Sequence, residues 1–404
     1  MISILAVTTH FLPGYKAGGP IRSLANLVDW LGDEFRFSIL TSDRDLGDRR
    51  PFSEVLPGSW VRVGKASVCY LSPKEQSVAA WRRLLATLEY DLLYLNGCFS
   101  PLTVRTLILR RLGQIPDVPV VVAAQGQLSP GALTLKRLKK HLYLQMARIC
   151  ALYEGIVWQA SSVAEAEDIA AVVGRCRGED LGSVWSATTV EANPHIIVAP
   201  DLPPRQTTET GNELRPPKVP GTAHVVFLSR IARMKNLDLA LRLIAQVTGT
   251  VWFSVYGPIE DRGYWRECEA LMRAMPSNVQ VRYEGTLAPS EVARVFLQHH
   301  LLFLPTRSEN FGHAILEALS AGCPVLISDQ TPWRKLADNE AGWDLALTDA
   351  SGFRTALEQV IAWDDTAFSR WSRGAQRYAE RYTSDSGAAQ AMRELFLAAA
   401  GARS

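Results

Sequence analysis

The chain has little net charge, few cysteines, few histidines and no long apolar run. Its 43 Lys plus Arg stand against 41 Asp plus Glu. That balance gives it no global electrostatic claim on nucleic acid, so no nucleic-acid partner is expected. Six cysteines, Cys69, Cys98, Cys150, Cys176, Cys268 and Cys323, lie far apart with no Cys-x-x-Cys pair. The spacing argues against a zinc ribbon, a thioredoxin motif and a disulfide scaffold. The seven histidines form no metal-like cluster, and the adjacent His299 and His300 sit at a strand start, where a structural role is expected. No metal is expected. No stretch approaches the roughly 20 apolar residues that cross a bilayer. The first seven residues lack a basic flank and are too short an apolar run for a signal peptide. The expectation is a reduced, cytoplasmic protein.

What is present is an ordinary folded composition, 47% hydrophobic and 21% charged, over 404 residues. At about 150 residues per domain this predicts two to three domains. Short apolar runs alternate with helical patterns. Strands are expected over 2–8, 35–41, 92–95 and 118–123, and a helix over 20–31 with Leu24, Leu27, Val28 and Leu31 on one stripe. The continuous apolar character of the runs suits parallel strands covered on both faces. Between residues 201 and 222 the alternation stops in a stretch carrying Pro203, Pro204, Pro216, Pro217 and Pro220, with a polar run over 206–213. This is linker composition. Alternation then resumes, with strands at 224–228, 251–256, 279–283, 301–305 and 324–327. Helices are expected at 236–247, 263–272, 289–297 and 312–321. The predicted organisation is an α/β domain over 1–200, a linker over 201–222, a second α/β domain over 223–382 and a closing helix within 383–404. Ligands bind at the carboxyl ends of strands in such doubly wound sheets, and a cleft between the two sheets is the expected site.

Three segments carry candidate chemistry. Glu309 follows the strand at 301–305. It precedes an apolar helix, expected to be buried nearly all round, on which Glu317 is the one carboxylate. A buried carboxylate needs a hydroxyl or amide partner, and the backbone N–H groups at the helix start suit an anion. Together these describe a site for a polyhydroxylated, phosphorylated ligand. The plainer reading has Glu309 capping the helix and Glu317 pairing with a structural arginine. In the second segment Arg230 ends a strand, and Lys235 precedes a helix with Asn236 as its expected N-cap. Two such cations can hold a diphosphate, or can simply be solvated. The third segment is Gly14-Tyr15-Lys16-Ala17-Gly18-Gly19-Pro20, where glycines permit close backbone approach to a phosphate; its spacing is not Gly-x-Gly-x-x-Gly.

These segments together resemble family 4 of the retaining, nucleotide-sugar-dependent glycosyltransferases, which have the GT-B fold of two Rossmann-like domains facing each other across a cleft. Glu309 and Glu317 match that family's Glu–seven-residues–Glu motif, Arg230 and Lys235 its diphosphate-binding pair, and Gly18-Gly19-Pro20 its first glycine loop. Similarity is dense over 225–343 and thinner over 2–162. The resemblance implies that Glu309 binds donor-sugar hydroxyls and that Asn310, Phe311 and Gly312 offer backbone amides. It further implies that Glu317 holds the ribose and that Arg230 and Lys235 stabilise the departing diphosphate. The second domain would hold the donor and the first would offer the acceptor, with the closing helix crossing back to the first. No cofactor is implied beyond the substrate itself, a nucleotide diphosphate sugar of UDP or GDP type. The implied acceptor is a saccharide or lipid-linked saccharide, and the implied setting is surface polysaccharide or glycoconjugate biosynthesis. Two departures stand on the acceptor or donor-sugar side. Gln125-Gly126 occupies a place where many relatives have His or Arg-Gly, and Asn96-Gly97 replaces a frequent His-Gly.

Two further signals are weaker. Asp43-Arg44-Asp45 has Asp-x-Asp form, and a surface loop is the expected reading. The stretch between Leu133 and Arg148 carries Lys136, Arg137, Lys139 and Lys140 among Leu135, Leu138, Leu142, Tyr143, Leu144 and Met146. It is either a solvated helix face or a peripheral contact with the cytoplasmic face of a membrane. A noncatalytic nucleotide-sugar-binding module and a sugar-nucleotide epimerase are the alternatives to a transferase.

Overall fold

The computed structural model describes residues 1–134, 137–177, 196–205, 215–384 and 387–401. The polar run expected over 206–213, with Leu135 and Lys136, lies outside the described residues. The chain forms two compact units, Met1–Leu202 with Ser386–Ser404, and Pro203–Asp385.

Among the described residues the first unit has an eight-stranded sheet. Its strands are β1 (Ser3–Val7), β2 (Arg36–Ser42), β3 (Trp60–Val63), β4 (Ala66–Leu71), β5 (Leu92–Asn96), β6 (Val120–Ala123), β7 (Val157–Ala160) and β8 (Ile196–Val198), in spatial order β3-β4-β2-β1-β5-β6-β7-β8. Every residue of β5 and β6 is buried, which is why these strands read as unbroken apolar runs rather than alternating ones. Helices α1 (Gly19–Leu31), α2 (Val78–Thr87), α3 (Pro101–Arg111), α4 (Pro130–Thr134), α5 (Arg137–Ile149) and α6 (Val163–Arg177) separate the strands. In α1 the stripe Leu24, Leu27, Val28 and Leu31 is buried. One element departs from the doubly wound expectation: β3 pairs antiparallel with β4 through the two-residue turn Gly64-Lys65. As an edge strand, β3 is only half-buried at alternate positions, and its weak apolar pattern reflects that.

Among the described residues the second unit has a six-stranded, all-parallel sheet in the order β11-β10-β9-β12-β13-β14. These strands are β9 (Thr222–Leu228), β10 (Thr250–Tyr256), β11 (Val279–Gly285), β12 (Leu301–Leu304), β13 (Val325–Ser328) and β14 (Gly342–Leu345). Around them pack α7 (Leu237–Ile244), α8 (Arg262–Arg273), α9 (Val292–Leu297), α10 (His313–Ser320), α11 (Ala350–Ala362) and α12 (Asp365–Ser384). The helix expected at 289–297 is split, with a 3₁₀ turn over Pro289–Glu291 leading into α9. Phe303 anchors the core, its ring 6.4 Å from Phe253 and 6.0 Å from Phe353.

A last helix, α13 (Gly387–Gly401), completes the first unit. Its Phe396 ring lies 5.5 Å from Phe35, 6.2 Å from Phe37 and 5.4 Å from Tyr94, all edge-on. Strand order reverses between β1 and β5 in one sheet and between β9 and β12 in the other. Each reversal opens a crevice at the carboxyl ends of the two strands.

Candidate active site

The second unit's crevice is built by two loops that leave adjacent strands and are bound to each other. After β12, the Arg307 amide donates to the Met234 carbonyl at 2.8 Å, and the Thr306 hydroxyl donates to the same carbonyl at 3.1 Å. After β9, Asn236 takes a left-handed conformation, φ 60°. Its side chain does not cap α7 as expected. It donates instead to the Pro305 carbonyl at 3.0 Å and accepts from the Arg307 guanidinium at 3.0 and 3.2 Å. The left-handed backbone turns the carboxamide away from the helix start and toward the neighbouring loop.

This lacing sets Lys235 against Glu309. The Lys235 ammonium donates to Glu309 Oε2 at 2.5 Å, with side-chain exposures of 9% and 18%. Glu309 therefore does not cap α10. Its own amide donates to the Gln330 carbonyl at 2.9 Å, so the loop after β13 fixes it from the other side. An ammonium has three N–H donors, and Glu309 occupies one. Arg230, at the end of β9, pairs with Glu260 across the loop after β10 and is about one-third exposed. Gly257 makes that approach possible. At φ 136° its missing Cβ would stand 1.8 Å from the Ser229 carbonyl oxygen.

Gly312 occupies the N-cap position of α10 with φ 85°. A Cβ there would meet Ile315 Cδ1 at 2.8 Å, Glu309 Cγ at 3.1 Å and Trp333 Nε1 at 3.2 Å. The Trp333 indole N–H donates to the Phe311 carbonyl at 2.6 Å, pinning the turn 310–312. Asn310 is half-buried, and Phe311 and Gly312 are buried. The helix is not enclosed all round as expected. His313, Ile315, Leu316, Ala318 and Leu319 are buried, whereas Glu317 is half-buried, one turn beyond His313 on the same side.

In the first unit Gly18 sits at the N-cap of α1 with φ 71°, and a Cβ there would meet nothing within 4 Å; Gly19 opens the helix. The Asp43-Arg44-Asp45 stretch is not a surface loop in its acidic residues. Asp43 and Asp45 are 1% and 4% exposed. Asp45 accepts from the Tyr15 and Lys16 amides at 2.8 and 3.1 Å and from the Leu46 amide at 2.8 Å. It holds the glycine-rich loop, and three backbone donors offset the cost of burying its charge. At the ends of β5 and β6, Gln125 takes φ 55° and its Nε2 stands 3.5 Å from Asn96 Oδ1. Asn96 is 6% exposed, and its Nδ2 has no hydrogen-bond partner among the described residues. Gly126 donates its amide to Glu165 at 2.5 Å. Burial pushes the Glu165 carboxyl up from its ordinary range, against the pull of donors from Ser161 and Gly126.

The structure thus brings Lys235 to Glu309 within the second unit, and Gln125 to Asn96 within the first. Arg230 faces Glu260, a partner that sequence reasoning missed although it follows a strand-ending Gly-Pro. Glu165, which holds the loop after β6, was also missed, and Asp45, which holds the glycine-rich loop, was expected on a surface loop. Their capping role depends on amides that only the fold turns toward them.

Residues 213–375, within the second unit, match the family described as Glycosyl transferases group 1. A stretch of 117 residues, 27% of the chain, is 31% identical to a D-inositol 3-phosphate glycosyltransferase of Rhodococcus erythropolis (strain PR4 / NBRC 100887); it spans 26% of that protein's length. Over 98% of both chains, the structure is similar to sucrose-phosphate synthase from Thermosynechococcus elongatus, with TM-score 0.66 and 16% identity. It is similar as well to Anabaena HepE in complex with UDP and glucose, with TM-score 0.64 and 16% identity over 98% of this chain and 99% of that one. The two parallel-sheet α/β units match GT-B glycosyltransferase structures.

Proposed function

We propose that the protein is a retaining glycosyltransferase of family 4 that moves a sugar from a UDP- or GDP-type nucleotide sugar, without a metal, to a saccharide or lipid-linked saccharide acceptor. The setting that fits such an acceptor is surface polysaccharide or glycoconjugate assembly at the cytoplasmic face of a membrane. The observation that carries this reading is the Lys235–Glu309 pair, fixed from both sides at the strand-order reversal. HepE, a structural relative, is bound to UDP and glucose.

The chemistry follows from charge. As the bond between the anomeric carbon and the diphosphate breaks, its electron pair leaves with the phosphate and the sugar ring becomes electron-poor. Lys235, with N–H donors left over from Glu309, and Arg230 stabilise the phosphate side. Glu309 accepts from donor-sugar hydroxyls, held in place by the ammonium that neutralises it. The amides of Asn310, Phe311 and Gly312 and the positive end of α10 add to anion binding. Glu317 accepts from the ribose. Gly18 and Gly19 allow a phosphate close to α1, and Asn96, Gln125 and Gly126 serve the acceptor or donor sugar. Asn96 brings a buried N–H group to that role.

The test is a thermal-shift panel of nucleotides and nucleotide sugars, followed by turnover of the best donor with a panel of saccharide acceptors. One class of nucleotide diphosphate sugar should raise the melting temperature. Glu309→Ala should lower transfer by about 10²-fold or more, the scale of losing a positioned polar group, and Arg230→Ala should weaken donor binding as well as rate. Wild-type turnover in both variants, or conversion of the donor with no acceptor present, would overturn the assignment.

A further inference from the structure

Helix α5 turns an apolar crest outward. Leu138, Leu142, Met146 and Ile149 are 87%, 61%, 49% and 76% exposed. At 100° per residue these four fall within one quadrant of the helix, with Gln145 just beyond its edge. The opposite side is well seated. Ala147 is buried, Leu144 packs on the core, and the Tyr143 ring lies 5.5 Å from Phe99 and donates or accepts at 2.8 Å with the Tyr153 hydroxyl. Lys140 is drawn under the helix, donating to the Ala132 carbonyl at 2.7 Å and lying 4.9 Å from the Phe99 ring centroid. The outward orientation is therefore set by packing on the other face.

Scattered exposed apolar side chains need no explanation, but four in a line on one helix do. The charges beside them have one sign. Exposed Arg137 and Arg148 lie on one flank, exposed Lys139 on the other, and α5 contains no Asp or Glu. None of the three is ion-paired among the described residues. No helix of the described residues is long and apolar enough to cross a membrane, and α5, at 13 residues, is about 20 Å long. It suits lying in a surface rather than spanning one.

We propose that the α5 crest is a docking surface for an anionic lipid bilayer, with Leu138, Leu142, Met146 and Ile149 inserted among the acyl chains and Arg137, Lys139 and Arg148 at the headgroups. An interfacial helix needs both parts: apolar insertion for depth and cations on the flanks for attraction to anionic lipid. A second copy of the chain is a poorer occupant. Pairing crest to crest sets three unpaired cations of one copy against three of the other. A ridge of this shape also offers no groove for a peptide. The proposal goes beyond the transfer reaction and does not depend on it.

The test is co-sedimentation of the full chain with vesicles of phosphatidylcholine alone and with about 30% phosphatidylglycerol, with no donor or acceptor present. Binding is expected to the anionic vesicles, weakening several-fold in about 0.5 M salt. Leu138→Asp with Leu142→Asp should lower partitioning at least tenfold with an unchanged melting curve, because both side chains are exposed. Lys139→Glu with Arg148→Glu should abolish the preference for anionic over neutral vesicles. Failure to bind anionic vesicles would overturn the proposal, as would binding indifferent to the leucine pair. A concentration-dependent dimer that the leucine pair abolishes, without lipid binding, would assign the crest to self-association instead. Lipid binding with no donor turnover would leave this inference standing while removing the transferase reading.

Discussion

Replacing Lys235 by Met tests the site's central contact directly. The substitution keeps the aliphatic stem and removes the charge, leaving the Glu309 carboxylate only 18% exposed opposite a methyl group. Removing one partner from a fully buried ion pair costs about 3–5 kcal/mol. Glu309 keeps some water, so a loss of roughly 1.5–3 kcal/mol is expected. For a unit of this size that corresponds to a fall in melting temperature of about 4–9 °C. Adding Glu309→Gln to Lys235→Met removes the stranded charge and restores most of the lost stability. Urea unfolding of the four proteins, followed by tryptophan fluorescence, closes a double-mutant cycle with an expected coupling of about 1.5 kcal/mol or more. A coupling under about 0.5 kcal/mol would refute the reasoning.

Gly312→Ala adds a methyl group at φ 85°, 2.8 Å from Ile315 Cδ1 and 3.1 Å from Glu309 Cγ. About 1–3 kcal/mol of stability should be lost, with weaker binding of UDP or GDP by calorimetry; wild-type melting and affinity together would count against this account. Asp201 is buried, accepts from the Ser23 hydroxyl at 2.9 Å, and is pushed up to about 7 by burial, with the Glu165 charge adding to the shift. Its folded pKa lies above its unfolded one, so stability should fall as pH rises from about 4 to about 7. Asp201→Asn should flatten that fall, which unfolding free energies at pH 5 and pH 7.5 would reveal; an unchanged slope would place the effect elsewhere.

Much of this was legible in residue order, for identifiable reasons. Residues 301–304 read as a strand because both faces of β12 are covered, and a doubly covered strand is a continuous apolar run. The helix at 20–31 was marked by Pro20 and its leucine stripe. What no local pattern records is which strand ends become neighbours. Lys235 and Glu309 are 74 positions apart, and only the order β9-β12 makes them partners. Asn236 has the composition of a cap, yet its left-handed backbone sends its side chain to Pro305 and Arg307. The run Asp43-Arg44-Asp45 looks solvated because charge is visible in a sequence and the direction of the Tyr15 and Lys16 amides is not. Edge strand β3 escaped notice because a half-buried strand of four residues lacks enough alternation to register.

The path of α13 has a consequence for biosynthesis. A ribosome adds about 5–20 residues per second. Synthesis of the stretch from residue 203 to residue 404 therefore takes about 10–40 s. Through that interval Phe35, Phe37 and Tyr94 have been made and their cover, Phe396, has not. The later-made unit, contiguous in the chain, is free to mature while the earlier one waits. A nonsense mutation shortly before residue 387 would thus injure the half of the molecule whose genetic information it leaves almost untouched.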